Sequence, residues 1–152
     1  MSVSITIIGT NPPCPRCAIL GLLVQDVAAE MGIEVAMRHL AFGDADAGAI
    51  AQGLGLTAGT AGHVAQRSGL RIDFDRVHDL IDHPPAPQTL CPEAGGIAAK
   101  WSPELDAALR PCEEIAASVG ILMTPVLVID GRVVHAGSVP GKEALRELLA
   151  KA

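Results

Sequence analysis

Two cysteines separated by two residues stand where an apolar, strand-like run passes into a helix-like run, and this placement constrains the fold more than any other feature. The motif is Cys14-Pro15-Arg16-Cys17. Pro15 suits the first position of a helix, where its missing N–H is no loss, so Cys14 becomes the N-cap. A sulfur at that position meets the positive end of the helix dipole and unpaired N–H groups, which favour a thiolate. The motif therefore predicts a site for thiolate chemistry.

The runs on either side of the motif predict a β-α-β unit. Residues 3–8 are rich in β-branched side chains and end at Gly9, which is typical of a buried strand. Residues 19–31 carry apolar side chains at helical spacing, and residues 33–40 predict a second strand. A strand, a helix and a strand in this order imply a right-handed β-α-β unit, in which the two strands are parallel. Cys14 is therefore expected at the carboxyl edge of the sheet, where α/β proteins place their sites.

The C-terminal part predicts a hairpin and a closing helix. Thr124-Pro125 leads into an apolar run at 126–129, and an Asp-Gly turn joins that run to residues 132–135. Asp-Gly between two apolar runs is a strong hairpin signal. Residues 142–151 then repeat a helical spacing. The predicted order is β-α-β, a long helical stretch, a hairpin and a helix.

A long stretch, residues 43–110, interrupts this order. Three short runs in it have helical character and are separated by glycines: 44–54, 60–68 and 73–83. A further helix begins at Ser102-Pro103, and Pro111 is expected to kink or divide it. Because the stretch leaves the sheet at the edge that carries Cys14, we expect a helical insertion that caps this edge and selects substrates.

The composition limits the class of protein. With 152 residues, of which 49% are hydrophobic, the chain is long enough to form one domain with a sizeable core. The net charge of −6, without a cluster of Lys or Arg, argues against a nucleic-acid partner. No apolar run is long enough to span a bilayer. We therefore expect a single cytoplasmic domain, residues 1–152, without a nucleic-acid or membrane partner, and the oligomeric state stays open.

The motif that opens a helix, followed much later by Thr124-Pro125 opening a hairpin strand, resembles the thioredoxin superfamily. It is most similar to the minimal glutaredoxin-like members, also described as small redox-active disulfide proteins. The resemblance covers residues 1–42 and 111–152. It implies a thioredoxin-like α/β fold, with a central mixed four-stranded sheet flanked by helices. It also implies a thiol-disulfide oxidoreductase without a bound cofactor, acting on a protein or small-molecule disulfide, with a protein disulfide client or a thiol reductant as its partner.

The resemblance also assigns roles to the cysteines and to the residues around Pro125. Cys14 matches the attacking cysteine and Cys17 the buried resolving cysteine, and the reaction is thiol-disulfide exchange. Pro125 matches the cis-proline that faces the disulfide. Thr124 is expected to offer backbone groups to an extended substrate.

Two further predictions concern the residues inside the motif. Pro15 and Arg16 are expected to line the substrate site, and the charge of Arg16 is expected to favour the thiolate. The first strand carries no carboxylate, so the buried acid that many thioredoxins use to relay protons to the resolving cysteine is missing there. Cys-Pro-x-Cys resembles glutaredoxins and disulfide oxidases more than thioredoxins. The direction of electron flow therefore stays open.

Cys91 and Cys112 leave two alternatives open. They could form a second redox pair that exchanges electrons with the first, or Cys112 could be a small core residue and Cys91 an incidental loop thiol. All four thiols could also bind zinc or another soft metal in a non-catalytic or redox-sensing module. The spacing lacks the paired knuckles of strong zinc sites, and the histidines lack ligand-like spacing, so we expect no metal.

Overall fold

The computed structural model describes residues 2–152, in which six strands and six α-helices follow one another. In chain order they are β1 (Ser2–Gly9), α1 (Pro15–Glu30), β2 (Glu34–Ala41), α2 (Ala45–Gln52), β3 (Thr57–Gly59), α3 (Ala61–Ser68), α4 (Phe74–Asp82), α5 (Pro103–Ile115), β4 (Ile121–Met123), β5 (Val126–Ile129), β6 (Arg132–Ala136) and α6 (Lys142–Ala150). Short 3-10 helices lie at Gly96–Lys100 and Ala117–Val119.

The predicted mixed four-stranded sheet is confirmed. Its order is β2-β1-β5-β6: β1 pairs in parallel with β2 and antiparallel with β5, and β5 pairs antiparallel with β6. Asp130 and Gly131 both have positive φ, 48° and 81°. Tight turns with two such residues match the twist of a hairpin, which is why Asp-Gly predicted this one. The parallel β1-α1-β2 unit places the start of α1 at the carboxyl edge of the sheet.

Two apolar layers lie on opposite faces of the four-stranded sheet, and residues of β1 contribute to both. Ile5 and Ile7 of β1 pack with α1, α5 and α6, whereas Ile8 faces the other way and packs against α2. On the first side, α1 is enclosed by the sheet and by the packed helical segments around it. Leu20, Leu23 and other apolar side chains of α1 are completely buried. The helix that carries the two cysteines is therefore fixed from several sides.

The insertion differs from its prediction in two respects. Residues 57–59, which were not predicted as a strand, form β3 and pair in parallel with β4. A strand of three residues is too short to show the alternation of apolar and polar side chains that indicates a strand, so the sequence could not predict β3. Pro111 does not divide its helix, since α5 is continuous from Pro103 to Ile115, and the alternative of a kink stays a prediction. The ring of Pro111 is on the exposed side, where its main cost is one missing backbone hydrogen bond.

The insertion is spread over both layers. Ala47 and Ala51 of α2 cover the second face of the sheet, whereas α3 and α4 pack on α5 and Ala98 joins the core beside α1. Most of the insertion therefore builds core, and a cap over Cys14 itself stays a prediction. Within residues 2–152, no helix combines the length and apolar character needed to cross a bilayer.

Two glycine-to-alanine substitutions should change stability in opposite directions. Gly48 lies inside α2 with no atom within 4 Å of a built Cβ, so Gly48→Ala should stabilise the protein by about 0.5–1 kcal/mol. Gly120 has φ +82°, which alanine adopts poorly, so Gly120→Ala should destabilise it by about 1 kcal/mol or more. Urea unfolding of both variants checks the signs, and equal effects would contradict the assignment of the two backbones.

Candidate active site

The two thiols of the motif lie side by side at the start of α1. Cys14 Sγ and Cys17 Sγ are 3.0 Å apart, and both are free thiols. Cys14 is the N-cap of α1, as predicted, and its sulfur is partly exposed. Cys17, one turn into the helix, is only 3% exposed. A disulfide from solution can therefore reach Cys14, whereas Cys17 is shielded behind it.

The environment shifts the pKa values of the two thiols in opposite directions. The hydrogen bond from the Cys17 thiol is the largest effect on Cys14 and lowers its pKa to about 6, against the opposing effect of burial. The N–H of Cys17 and the positive charge of Arg16 lower the pKa further. The pKa of Cys17 is strongly raised, because its proton is held by the Cys14 sulfur and because it is buried. At neutral pH the site therefore holds a thiolate on Cys14 and a thiol on Cys17.

Arg16 does not line a substrate site, and that prediction is wrong. The residue is 5% exposed, and its Nε donates to Asp106 Oδ1 at 2.6 Å. Nη1 donates to the carbonyl oxygen of Thr124 at 3.3 Å, and Nη2 donates to the carbonyl oxygen of Gly137. The guanidinium is long and planar with donors on several edges, so one buried side chain can hold three partners. Only its expected electrostatic effect on Cys14 agrees with the structure.

Asp106 is a residue that the sequence analysis missed. Its carboxylate is buried in α5, where one oxygen accepts from Arg16 and the other accepts from the N–H of Val139 at 2.9 Å. The only signal was an acidic residue beside the buried positions Leu105 and Leu109 of a helix. That signal cannot name the partner, because Arg16 precedes Asp106 by 90 residues.

Thr124-Pro125 lies next to the motif, since Arg16 spans the gap between them. The peptide bond between the two residues is cis. Both residues are buried, however, and the N–H of Thr124 donates to the carbonyl oxygen of Gly59 at 2.9 Å. The carbonyl oxygen of Thr124 accepts from Arg16. The backbone N–H and the carbonyl oxygen of Thr124 thus each have a partner inside the protein, and the expected contact of Thr124 with an extended substrate stays a prediction.

The structure does not join Cys91 and Cys112 into a second pair. Both are free thiols. Cys91 Sγ donates to Asp26 Oδ2 at 3.3 Å, and burial followed by this carboxylate raises the pKa of Cys91 to about 11. Asp26 lies about 18 Å along α1 from Cys14, at 1.5 Å per residue. Cys112 is completely buried in the core, and burial raises its pKa. The structure holds no bond between Cys91 and Cys112, so the second redox pair stays a prediction, and the burial of Cys112 fits the core alternative.

The predicted alternative of a four-thiol metal site has no matching geometry. Among the side chains of residues 2–152, there is no cluster of three or more His, Cys, Asp or Glu that could hold a metal ion. Cys91 lies beside Asp26, far along α1 from the motif. The neighbouring thiols of Cys14 and Cys17 are compatible with a redox role.

Gly9 leaves the space through which Cys17 approaches β2. A Cβ built on Gly9 would lie 2.4 Å from Cys17 Sγ and 2.9 Å from His39 Nε2. Neither contact is sterically allowed, so this strand end requires glycine. In the sequence, Gly9 indicates only the end of a strand, and His39 has no predicted role in the site.

Comparison with known proteins agrees with this fold. A family model described as a thioredoxin domain matches residues 93–150, which include α5, Thr124-Pro125, the hairpin and α6. The matched segment does not include the Cys14 motif. The evidence for that motif is its sequence and the geometry of its two thiols, separate from the family match. No curated protein and no solved structure matches the chain. The match and the mixed sheet support membership of the thioredoxin superfamily, and the thioredoxin-like domain with its two neighbouring thiols supports a redox role.

Asp106→Ala should destabilise the protein by about 3–5 kcal/mol, because it leaves the buried charge of Arg16 without a partner. Glu30→Ala is the matched control, since Glu30 pairs with Arg146 at a half-exposed position and should contribute less than about 1 kcal/mol. Denaturant unfolding of both variants measures the difference. If Asp106→Ala lowers the free energy of unfolding as little as Glu30→Ala does, the buried ion pair is not important for stability.

The thiolate of Cys14 should titrate well below an ordinary thiol. Its alkylation rate by iodoacetamide should rise with pH through an inflection near pH 6, because only the thiolate reacts. Mass spectrometry of the alkylated protein identifies the site. In Cys17→Ala the main hydrogen bond is lost, and the inflection should move to higher pH. An unchanged inflection in that variant would contradict the assigned cause.

Proposed function

We propose that the chain is a thiol-disulfide oxidoreductase in which Cys14 attacks and Cys17 resolves. The observation that carries this proposal is the paired arrangement at the start of α1, where a partly exposed sulfur with a lowered pKa lies 3.0 Å from a buried thiol. Attack needs an accessible thiolate, and resolution needs a second thiol within reach of the first. Each cysteine has the environment that its step requires.

In the proposed reaction the reduced protein gives two electrons to a disulfide. The Cys14 thiolate attacks one sulfur of the client disulfide, and the other client sulfur leaves as a thiolate that takes up a proton. Cys17 then loses its proton and attacks Cys14 Sγ, which breaks the mixed disulfide and releases the second client thiol. The protein ends with a Cys14–Cys17 disulfide. The same steps in reverse oxidise a client dithiol.

We propose a protein disulfide or a small thiol reductant as the partner, and no cofactor beyond the two cysteines. The loop before the motif supports an approach from solvent, because Asn11, Pro12 and Pro13 are exposed and lead directly to Cys14. The backbone N–H of Thr124 takes no part in this approach, since it is bonded to Gly59. The client is therefore recognised by the surface around Cys14.

An aromatic disulfide, 5,5′-dithiobis(2-nitrobenzoic acid), tests the two roles by stoichiometry. The wild-type dithiol should release two coloured thiolates at this site, the first from attack by Cys14 and the second from resolution by Cys17. Cys17→Ser should release one and gain the mass of the other as a stable adduct on Cys14. Cys14→Ser should release neither at a comparable rate.

Cys91→Ala is the matched control for this experiment. Cys91 is a buried free thiol distant from the motif, so its removal should leave both releases unchanged. If Cys14→Ser keeps the wild-type rate, or if Cys17→Ser forms no adduct, the assignment of attacking and resolving cysteines is wrong. The trapped variant also allows clients to be identified by mass spectrometry.

A further inference from the structure

Resolution requires Cys17 to lose a proton in a place where water has little access. Cys17 is 3% exposed, and β1 offers no carboxylate to accept that proton. In the mixed disulfide, Cys14 is neutral and no longer repels a negative charge on Cys17, but the burial of Cys17 remains. A base within reach of Cys17 Sγ would therefore speed the second step.

His39 is the titratable side chain that faces Cys17 from the sheet. A Cβ on Gly9 would lie within 2.4 Å of Cys17 Sγ and 2.9 Å of His39 Nε2, so the sulfur and the nitrogen lie within the sum of these distances. A single bridging water spans such a gap, and a small movement of the imidazole closes it. Because Gly9 has no side chain, the space next to both groups is not filled by a Cβ.

The same side of Cys17 borders a cavity that can hold water. Its volume is about 170 Å³, and Cys17, Gly21, Met37 and His39 are among the residues that line it. About 10–15 Å³ of such volume is enough for one water molecule, so the cavity has room for water. His39 is itself exposed to solvent. A proton accepted by His39 can therefore pass to bulk water without crossing the core.

We propose that His39 accepts the proton of Cys17 during resolution, directly or through one water molecule, and returns it when the reaction runs in reverse. This role rests on the proposed exchange reaction. In the forward step, the S–H bond of Cys17 breaks as His39 Nε2 gains the proton, and Cys17 Sγ bonds to Cys14 Sγ. The Cys14–client S–S bond breaks, and the client sulfur leaves with its electron pair.

The charges around His39 suit a base that is neutral near pH 7. Burial lowers the pKa of His39, and the nearby carboxylate of Asp44, before α2, opposes this effect. From α1 the facing titratable group is Cys17 itself, and from β1 the facing residues Ile7 and Gly9 carry no charge. Arg38 also borders the cavity, but its guanidinium is bonded to Thr6 and Asp46.

The experiment follows the two releases from the aromatic disulfide by stopped flow. His39→Gln should leave the first release unchanged and slow the second by about 100-fold at pH 7, the scale of general-base catalysis. In the wild type, the second rate should rise with pH up to the pKa of His39 and then level off. In His39→Gln this inflection should disappear, and the rate should keep rising with hydroxide concentration.

Two further variants separate proton transfer from a structural effect. His83→Gln removes an exposed histidine of the insertion and should leave both releases unchanged. His39→Gly opens the cavity, and added imidazole should accelerate its second release but not that of the wild type. A second release that keeps its rate and pH inflection in His39→Gln overturns the role of His39 alone. A wild type without a second release overturns the exchange reaction and the role of His39 together.

Discussion

The buried ion pair between Arg16 and Asp106 is the interaction on which the site depends. One guanidinium joins the start of α1 to α5, to the carbonyl oxygen of Thr124 and to that of Gly137. A charge removed from water is costly unless it is paired and hydrogen-bonded, so these partners are required once Arg16 is buried. The pair therefore fixes the position of the Cys14 motif relative to the segment that contains the cis peptide bond.

The two cysteines differ mainly because the Cys17 thiol donates to the Cys14 sulfur, and the same arginine adds to the difference. Its charge lies close enough to favour a thiolate on Cys14, while the helix start supplies N–H groups to the same sulfur. Cys17 faces inward and meets an apolar environment except at the gap beside Gly9. Cys14 and Cys17 are one helical turn apart, but the first is partly exposed and the second is buried. Their thiol pKa values are therefore shifted in opposite directions by residues of this chain.

The parts of the fold with local signals were predictable from the sequence. Pro15 after Cys14 predicted the start of α1, and the Asp130-Gly131 pair predicted the hairpin, because each depends on the conformational preferences of two neighbouring residues. The burial of Arg16 was not predictable, since it depends on Asp106, a partner distant in sequence. The contact between His39 and the gap at Gly9 likewise depends on the pairing of β1 with β2.

The insertion contacts the segment that contains the cis peptide bond through backbone hydrogen bonds. Gly59, at the end of β3, accepts the N–H of Thr124, and β3 continues this contact as a parallel pair with β4. A strand edge whose groups are already bonded does not recruit another strand. In the exchange reaction proposed above, an extended client finds no free backbone donor at Thr124. We therefore propose that such a client contacts the exposed residues before Cys14, outside the segment that β3 covers.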